Sequence, residues 1–168
     1  MSDAPSSKPQ GLSLSTYQVN DSVGYLMSRV KSLMTNLATQ RTQVELGITG
    51  TQASMLFMVA VGKCSTAAEL AREYGIDASA VTRLLDRVEK RGLLARVRSI
   101  EDRRVVRLEL TEEGRAIAER LPDIFCGVLD QLLAGFTPEE VGFLKSMLRR
   151  ILGNCCDTSG GGGSGSGA

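Results

Sequence analysis

The stretch RSIEDRRVVRLELTEEGR, Arg98 to Arg115, sets Glu101 and Asp102 directly before Arg103 and Arg104. It then alternates apolar with charged residues and stops at Thr111-Glu-Glu-Gly114. A guanidinium is planar and weakly hydrated, so an arginine at an exposed tip suits a narrow DNA minor groove, where negative potential is concentrated. Arg104 is placed for that groove and Arg103 for a phosphate. Asp102 can serve Arg104 in two ways, by pairing with its guanidinium or by closing the turn beneath it. A second group lies in DASAVTRLLDRVEKRGLL, Asp77 to Leu94. There Ser79, Thr82, Arg83, Asp86, Arg87 and Lys90 share one helical face, opposite Val81, Leu84, Leu85 and Val88. Arginine bonds guanine bidentately in the major groove, and serine or threonine bonds bases or phosphates. That assigns Ser79, Thr82 and Arg83 to the bases, and Arg87 and Lys90 to Asp86 or to phosphate. Ser65 and Thr66 open the preceding helix, where free backbone N–H groups suit a phosphate; helix capping explains the pair equally well.

Charge supports a polyanion partner only locally. The 168 residues carry a net +1, yet Ser79–Arg107 holds nine Lys/Arg against four Asp/Glu, while residues 108–168 hold five against nine. A basic window of that kind is what a DNA-facing surface needs. Histidine is absent, which removes the commonest metal ligand and the commonest general acid and base. No phosphate-binding glycine loop or nucleophile elbow is present either, so the chain reads as a non-enzyme without metal or cofactor. The longest apolar run, Met55 to Val61, is too short to span a bilayer, and the N-terminus has no apolar signal region. Four cysteines stand in no framework spacing, which suits a reduced, cytoplasmic protein.

The elements that would hold these groups are mostly helical. Val23, Leu26, Val30, Leu33 and Leu37 step by three and four, predicting one long helix from about Tyr17 to Glu45. Thr49 caps a buried helix with Ala53, Leu56 and Phe57. Thr66 and Glu69 form a capping box for a short helix stopped at Gly75, and Asp77 caps the next, which Gly92 closes. Leu93–Arg98 and Val106–Leu110 form a two-stranded hairpin with one buried face. Thr111 caps a further long helix in which Pro122 predicts a kink or a break and Cys126 a core position. Thr137-Pro138-Glu-Glu140 opens a final helix closed by Gly153. The fold class is mainly α with a small β-hairpin wing (α+β): a winged helix-turn-helix with long N- and C-terminal dimerisation helices. The boundaries are a loose arm at 1–15, a helical dimerisation region at 16–48 and 112–154, a DNA-binding domain at 49–111, and a flexible Gly/Ser-rich tail at 155–168.

Asp77–Leu94 followed by Glu101–Arg115 resembles the MarR family of bacterial winged-helix regulators. Its recognition-helix pattern is met by Thr82, Arg83, Leu84, Asp86, Arg87, Gly92 and Leu93, with Val88 for a leucine. Its wing pattern is met by Asp102, Arg104, Leu110, Thr111 and Gly114, and LGITGTQ, Leu46 to Gln52, resembles its L-G-L-T-x-x-Q with Gly50 where proline is common. The resemblance spans about residues 20–153. It implies a homodimer carrying two reading heads on a pseudo-palindromic operator in double-stranded DNA, and repression relieved by a small phenolic or aromatic carboxylate effector. The family's pocket points here to Tyr25, Ser28 and Arg29 on the first helix and Ala53, Met55 and Met58 on the second. Two other readings stay open: an oxidant sensor acting through cysteine, with Cys155-Cys156 as the reactive pair, and a helical ligand-binding dimer that never touches DNA.

Overall fold

Short polar side chains decide where the helices begin. In the computed structural model, which describes the backbone of residues 18–157 and the side chains of residues 18–154, a single 3-10 turn at Val19–Asp21 precedes α1 (Val23–Leu46). The first helix therefore starts later than its apolar stepping predicts. Asn20, Asp21 and Ser22 favour local side-chain bonds over helix, and Ser22 is extended at φ −74°, ψ 126°. Tyr17, the 1–15 arm, the tail beyond Asp157 and the side chains of Cys155 and Cys156 lie outside the described residues.

Thr49 starts α2 (Gly50–Ala60) with a reciprocal capping box: its hydroxyl accepts from Gln52 N at 3.3 Å and its own N–H donates to Gln52 Oε1 at 3.0 Å. Gly50 crosses α1 so closely that a Cβ would stand 2.6 Å from Thr39 Oγ1, and its N–H donates to that oxygen at 3.2 Å. That contact is this chain's own reason for glycine where a proline, lacking the N–H, is common. α3 (Ala67–Tyr74) and α4 (Ala78–Lys90) form the helix-turn-helix, joined through Gly75 in the left-handed region at φ 62°. β1 (Leu94–Arg98) and β2 (Val106–Leu110) pair antiparallel in the register Leu94↔Leu110, Arg96↔Leu108 and Arg98↔Val106. Beyond them lie α5 (Glu112–Leu132) and α6 (Pro138–Asp157).

Two expectations on these helices need correction, and a third, a kink or a break at Pro122, is narrowed: α5 does not break there. A proline costs a helix interior about 3 kcal/mol, and buried Leu121 and Ile124 anchor the helix on either side of it. Cys126 is exposed rather than in a core, because the helical period turns it away from its buried neighbours Ile124 and Val128. α6 passes through Gly153, which does not adopt the positive φ that would stop it.

The chain divides into two compact units at Phe125–Cys126, each described by itself. The first holds the hydrophobic core: Ile48, Met55 and Leu56 meet Leu70, Val81, Leu85 and Val88 from the helix-turn-helix, Leu93, Leu94 and Leu108 from the hairpin, and Leu121 from α5. Phe57 and Phe125 add an edge-to-face pair at 5.5 Å. On α1, by contrast, Val23, Leu26, Val30 and Leu33 are exposed in the single chain. In the second unit α6 likewise exposes Phe143, Met147, Ile151 and Leu152. Among the described residues no helix is long and apolar enough to cross a membrane.

Candidate nucleic-acid interface

Asp77 is the N-cap of α4: its Oδ1 accepts from Ala80 N at 2.9 Å and from the Ser79 hydroxyl. Val81, Leu85 and Val88 bury one side of the helix, and Ser79, Thr82, Arg83, Asp86, Arg87 and Lys90 are all exposed on the other. The hydroxyls are already committed as donors, Ser79 to Asp77 and Thr82 to Ala78 O at 2.9 Å. Each keeps only acceptor capacity for a base or a bridging water. The cations are in a different state. Arg83, Arg87, Lys90, Arg98, Arg103 and Arg104 form no ion pair among the described residues.

The reason is an arginine that sequence reasoning passed over. Arg96, on the inward face of β1, pairs with Asp86 at 2.7 Å and Glu89 at 2.6 Å, and reaches Thr82 O at 3.4 Å. The expected pairing of Arg87 or Lys90 with Asp86 is thus displaced, because Arg96 Nη1 meets both carboxylates at once while Nη2 donates to Thr82 O. One guanidinium engages both acids of α4, leaving the trio a net charge of −1, and ties the wing to the helix. A signal for it existed: strand alternation turns Arg96 inward with Leu94, and Asp86 and Glu89 stand one turn apart on the preceding helix. Arg96→Ala is expected to cost about 1 kcal/mol of stability and to weaken polyanion binding, because two carboxylates return to the reading face. Arg96→Lys should restore much of both, since one nitrogen meets the two carboxylates and only the bond to Thr82 O is lost. Thermal unfolding and a heparin-affinity elution series check this; wild-type behaviour of the alanine variant would refute the clamp.

At the wing tip the two possibilities for Asp102 resolve. Its Oδ1 accepts the backbone N–H of Arg104 at 2.9 Å, and its carbonyl accepts Val105 N at 2.9 Å. The aspartate closes the turn, and the Arg104 guanidinium is left exposed. Ser99 N donates to Val105 O at 2.9 Å, sealing the base of the loop. Glu101 pairs across the hairpin with Arg107 at 3.2 Å, which withdraws the remaining tip acid. Thr111 then hands the chain to α5: its hydroxyl donates to Gly92 O at 2.6 Å and accepts from Gly114 N at 3.0 Å. Leu108 N donates to Ser65 O at 2.8 Å, docking β2 on the entrance to α3.

That entrance is not an open anion site. Glu69 Oε2 accepts from Ser65 N, from the Ser65 hydroxyl at 3.0 Å and from Thr66 N at 3.1 Å, while Thr66 Oγ1 accepts from Glu69 N at 3.2 Å. A phosphate there has to share these donors with a carboxylate. The Ser65 N–H, then its hydroxyl and the Thr66 N–H, hold Glu69 below the usual carboxylate range; the Ser79 hydroxyl and Ala80 N–H do the same for Asp77. Both groups take up protons more readily in the unfolded chain. Their stabilisation is complete above the ordinary carboxylate value and is lost as pH falls through the lower folded values. Stability should therefore decline below about pH 4, and the double variant Glu69→Gln, Asp77→Asn should flatten that decline in urea titrations across pH. An unchanged pH slope would count against both caps.

The proposed effector residues fall into two groups. Tyr25, Ser28 and Arg29 stand exposed on the N-terminal half of α1. Ala53 and Met55 are in the hydrophobic core, and Met58 packs half-buried against it. Cys64 is buried, and burial first, then Glu73 and Glu69, pushes its thiol above the ordinary value, the opposite of a reactive cysteine.

With this geometry in place, comparison with known proteins is direct. Residues 46–105, which span α2 to the wing tip, match the MarR family. The multiple antibiotic resistance protein MarR of Salmonella typhimurium is 35% identical over 108 residues, 64% of this chain and 75% of that protein. The reduced form of MarR from E. coli is similar in structure at a TM-score of 0.68 and 28% identity, covering 78% of this chain and 96% of that one. A mutant of E. coli MarR complexed with operator DNA gives 0.69 and 29%, covering 77% and 93%. The likeness in sequence and in fold shows that the chain belongs to the MarR family of winged-helix transcriptional regulators, whose members are not enzymes.

Proposed function

We propose that the chain is a homodimeric repressor that reads a pseudo-palindromic operator in double-stranded DNA and is released by a small phenolic or aromatic carboxylate. One observation carries the DNA reading: six exposed cations on α4 and the wing form no ion pair among the described residues, while Arg96 and Arg107 hold the neighbouring acids Asp86, Glu89 and Glu101. In this reading α4 enters the major groove, with Ser79, Thr82 and Arg83 at base edges and Arg87 on phosphate. The wing lays Arg104 in the adjacent minor groove with Arg103 on its phosphates, and Asp102 holds the tip. Ser65 and Thr66 contribute at the backbone if Glu69 gives way. That the similar E. coli MarR mutant is complexed with operator DNA supports the reading of a DNA-binding protein.

A dimer is supported by the exposed apolar faces of α1 and α6, which leave a large hydrophobic surface without cover in each unit. Two heads then fit half-sites about 34–36 Å apart, and a regulator of this kind works in the cytoplasm with its DNA. An effector acts by binding one head spacing better than the other. Arg29 offers an exposed guanidinium for a carboxylate and Tyr25 an aromatic face; Ser28 lies beside them, and Ala53, Met55 and Met58 would meet the ligand only if the core opens locally.

Titrating the protein into duplex DNA from its own promoter tests the central claim. Affinity should fall roughly a thousandfold between 50 and 200 mM salt; no complex at low salt overturns it. A panel of small aromatic acids should raise the melting temperature through preferential binding to the folded dimer. The response should survive replacement of all four cysteines by serine, and its loss would favour an oxidant trigger instead.

A further inference from the structure

Ile100 is 99% exposed, more than any other large hydrophobic residue described. Single exposed apolar residues are ordinary on protein surfaces, so its exposure alone means little. Its setting differs from an ordinary surface position. Ile100 sits in the wing turn between Ser99, whose N–H donates to Val105 O at 2.9 Å, and the Asp102 turn that fixes Arg104. The loop is held by its own hydrogen bonds and cannot fold the side chain back into the core without breaking them. Arg98, Arg103 and Arg104 surround it in sequence, all exposed and without ion pairs among the described residues. The neighbouring acid, Glu101, is taken up by Arg107 at 3.2 Å. An apolar side chain presented by the wing, beside Arg98, the Arg107–Glu101 pair and Glu109 and followed in sequence by Arg103 and Arg104, can meet a surface that is anionic at its rim and apolar within. Stacked bases flanked by phosphates are such a surface.

We propose that Ile100 is a wedge: as Arg104 enters the minor groove, the isoleucine presses into an adjacent base step, partly unstacks it and bends the duplex. Apolar side chains inserted from the minor groove act in this way. The inference rests on the DNA-binding reading above and adds a second source of specificity to it. The wing then selects DNA by deformability, favouring the easily unstacked TA and CA/TG steps, while α4 selects by base edges. Because Ile100 touches no core residue, replacing it should leave folding intact, and a leucine should preserve the wedge.

Selection of binding duplexes from a random pool by wild type, Ile100→Ser and Ile100→Leu tests this, followed by circular-permutation bending of the selected fragments. Wild type and the leucine variant should enrich a flexible step at one fixed distance outside each α4 half-site. The serine variant should keep the central sequence, lose that enrichment, bend DNA less and bind roughly tenfold more weakly. Identical flanking steps and equal bend angles in all three would overturn the wedge and leave the DNA-binding reading standing. A wild-type protein that selects no duplex at low salt would overturn the DNA-binding reading itself, and the wedge with it.

Discussion

Replacing Gly114 with alanine is expected to be the most damaging single-atom addition to the winged-helix lobe, costing roughly 3–5 kcal/mol. A Cβ built on Gly114 would stand 1.8 Å from the Leu93 carbonyl oxygen and 2.8 Å from its carbon, both backbone atoms. No side-chain rotation relieves such a contact, so the first turn of α5 and the start of β1 must separate by more than an ångström. That motion strains three bonds: Thr111 N to Leu93 O at 3.3 Å, the Thr111 hydroxyl to Gly92 O at 2.6 Å, and Gly114 N to Thr111 Oγ1 at 3.0 Å. It also opens the core at Leu93 and Leu94, each nearly sealed from solvent. The melting temperature, followed by circular dichroism, should fall by about 10 °C or more. Gly142, with nothing within 4 Å of its would-be Cβ, is the control: alanine there should be neutral or stabilising. A Gly114→Ala protein that melts with wild type would show that the close approach is not maintained in solution.

Arg83→Ala and Arg104→Ala should each weaken DNA binding, but with different signatures. Arg83 is exposed in the first turns of α4, where a recognition helix meets base edges, and a bidentate arginine–guanine pair contributes about 1–3 kcal/mol of discrimination. Its loss should reduce specific affinity roughly tenfold or more and relax preference at one base pair of each half-site. Arg104 sits on the wing tip, whose backbone Asp102 fixes, so its loss should weaken binding broadly and lower the slope of log affinity against log salt by about one per head. Fluorescence anisotropy on matched and single-substituted duplexes at several salt concentrations separates the two. If both variants bound as wild type does, the assignment of α4 and the wing to DNA would be wrong.

Much of this architecture is written locally. A capping box needs only two residues three apart, so Thr66/Glu69 and Thr137/Glu140 mark helix starts in the sequence and form as such, and Thr49, read as a cap, forms one with Gln52. The alternation of Val106, Leu108 and Leu110 marks a strand for the same reason, and the spacing of Val81, Leu85 and Val88 sets which face of α4 is buried. The exposed set on that helix, and with it the candidate reading face, follows without any tertiary information. Where local signals compete, they mislead. Pro122 is a breaker by itself, yet burial of Leu121 and Ile124 keeps α5 continuous; Gly153 is a stop only if the chain turns left-handed, and it does not.

What the sequence by itself determined is thus the order of elements, their caps and the residues on the polar face of α4, because each depends on neighbours within a turn or two of chain. Only the tertiary structure decided which charges on that face are available. Arg96 comes from a different element than Asp86 and Glu89, and only strand register and packing bring its guanidinium to both carboxylates. The same holds for Gly114, whose need for a bare Cα arises from a carbonyl 21 positions earlier in the chain. Periodicity reports the direction a side chain takes from its own helix or strand, whereas these contacts depend on where a second element is placed, and that is fixed by the packing of the core.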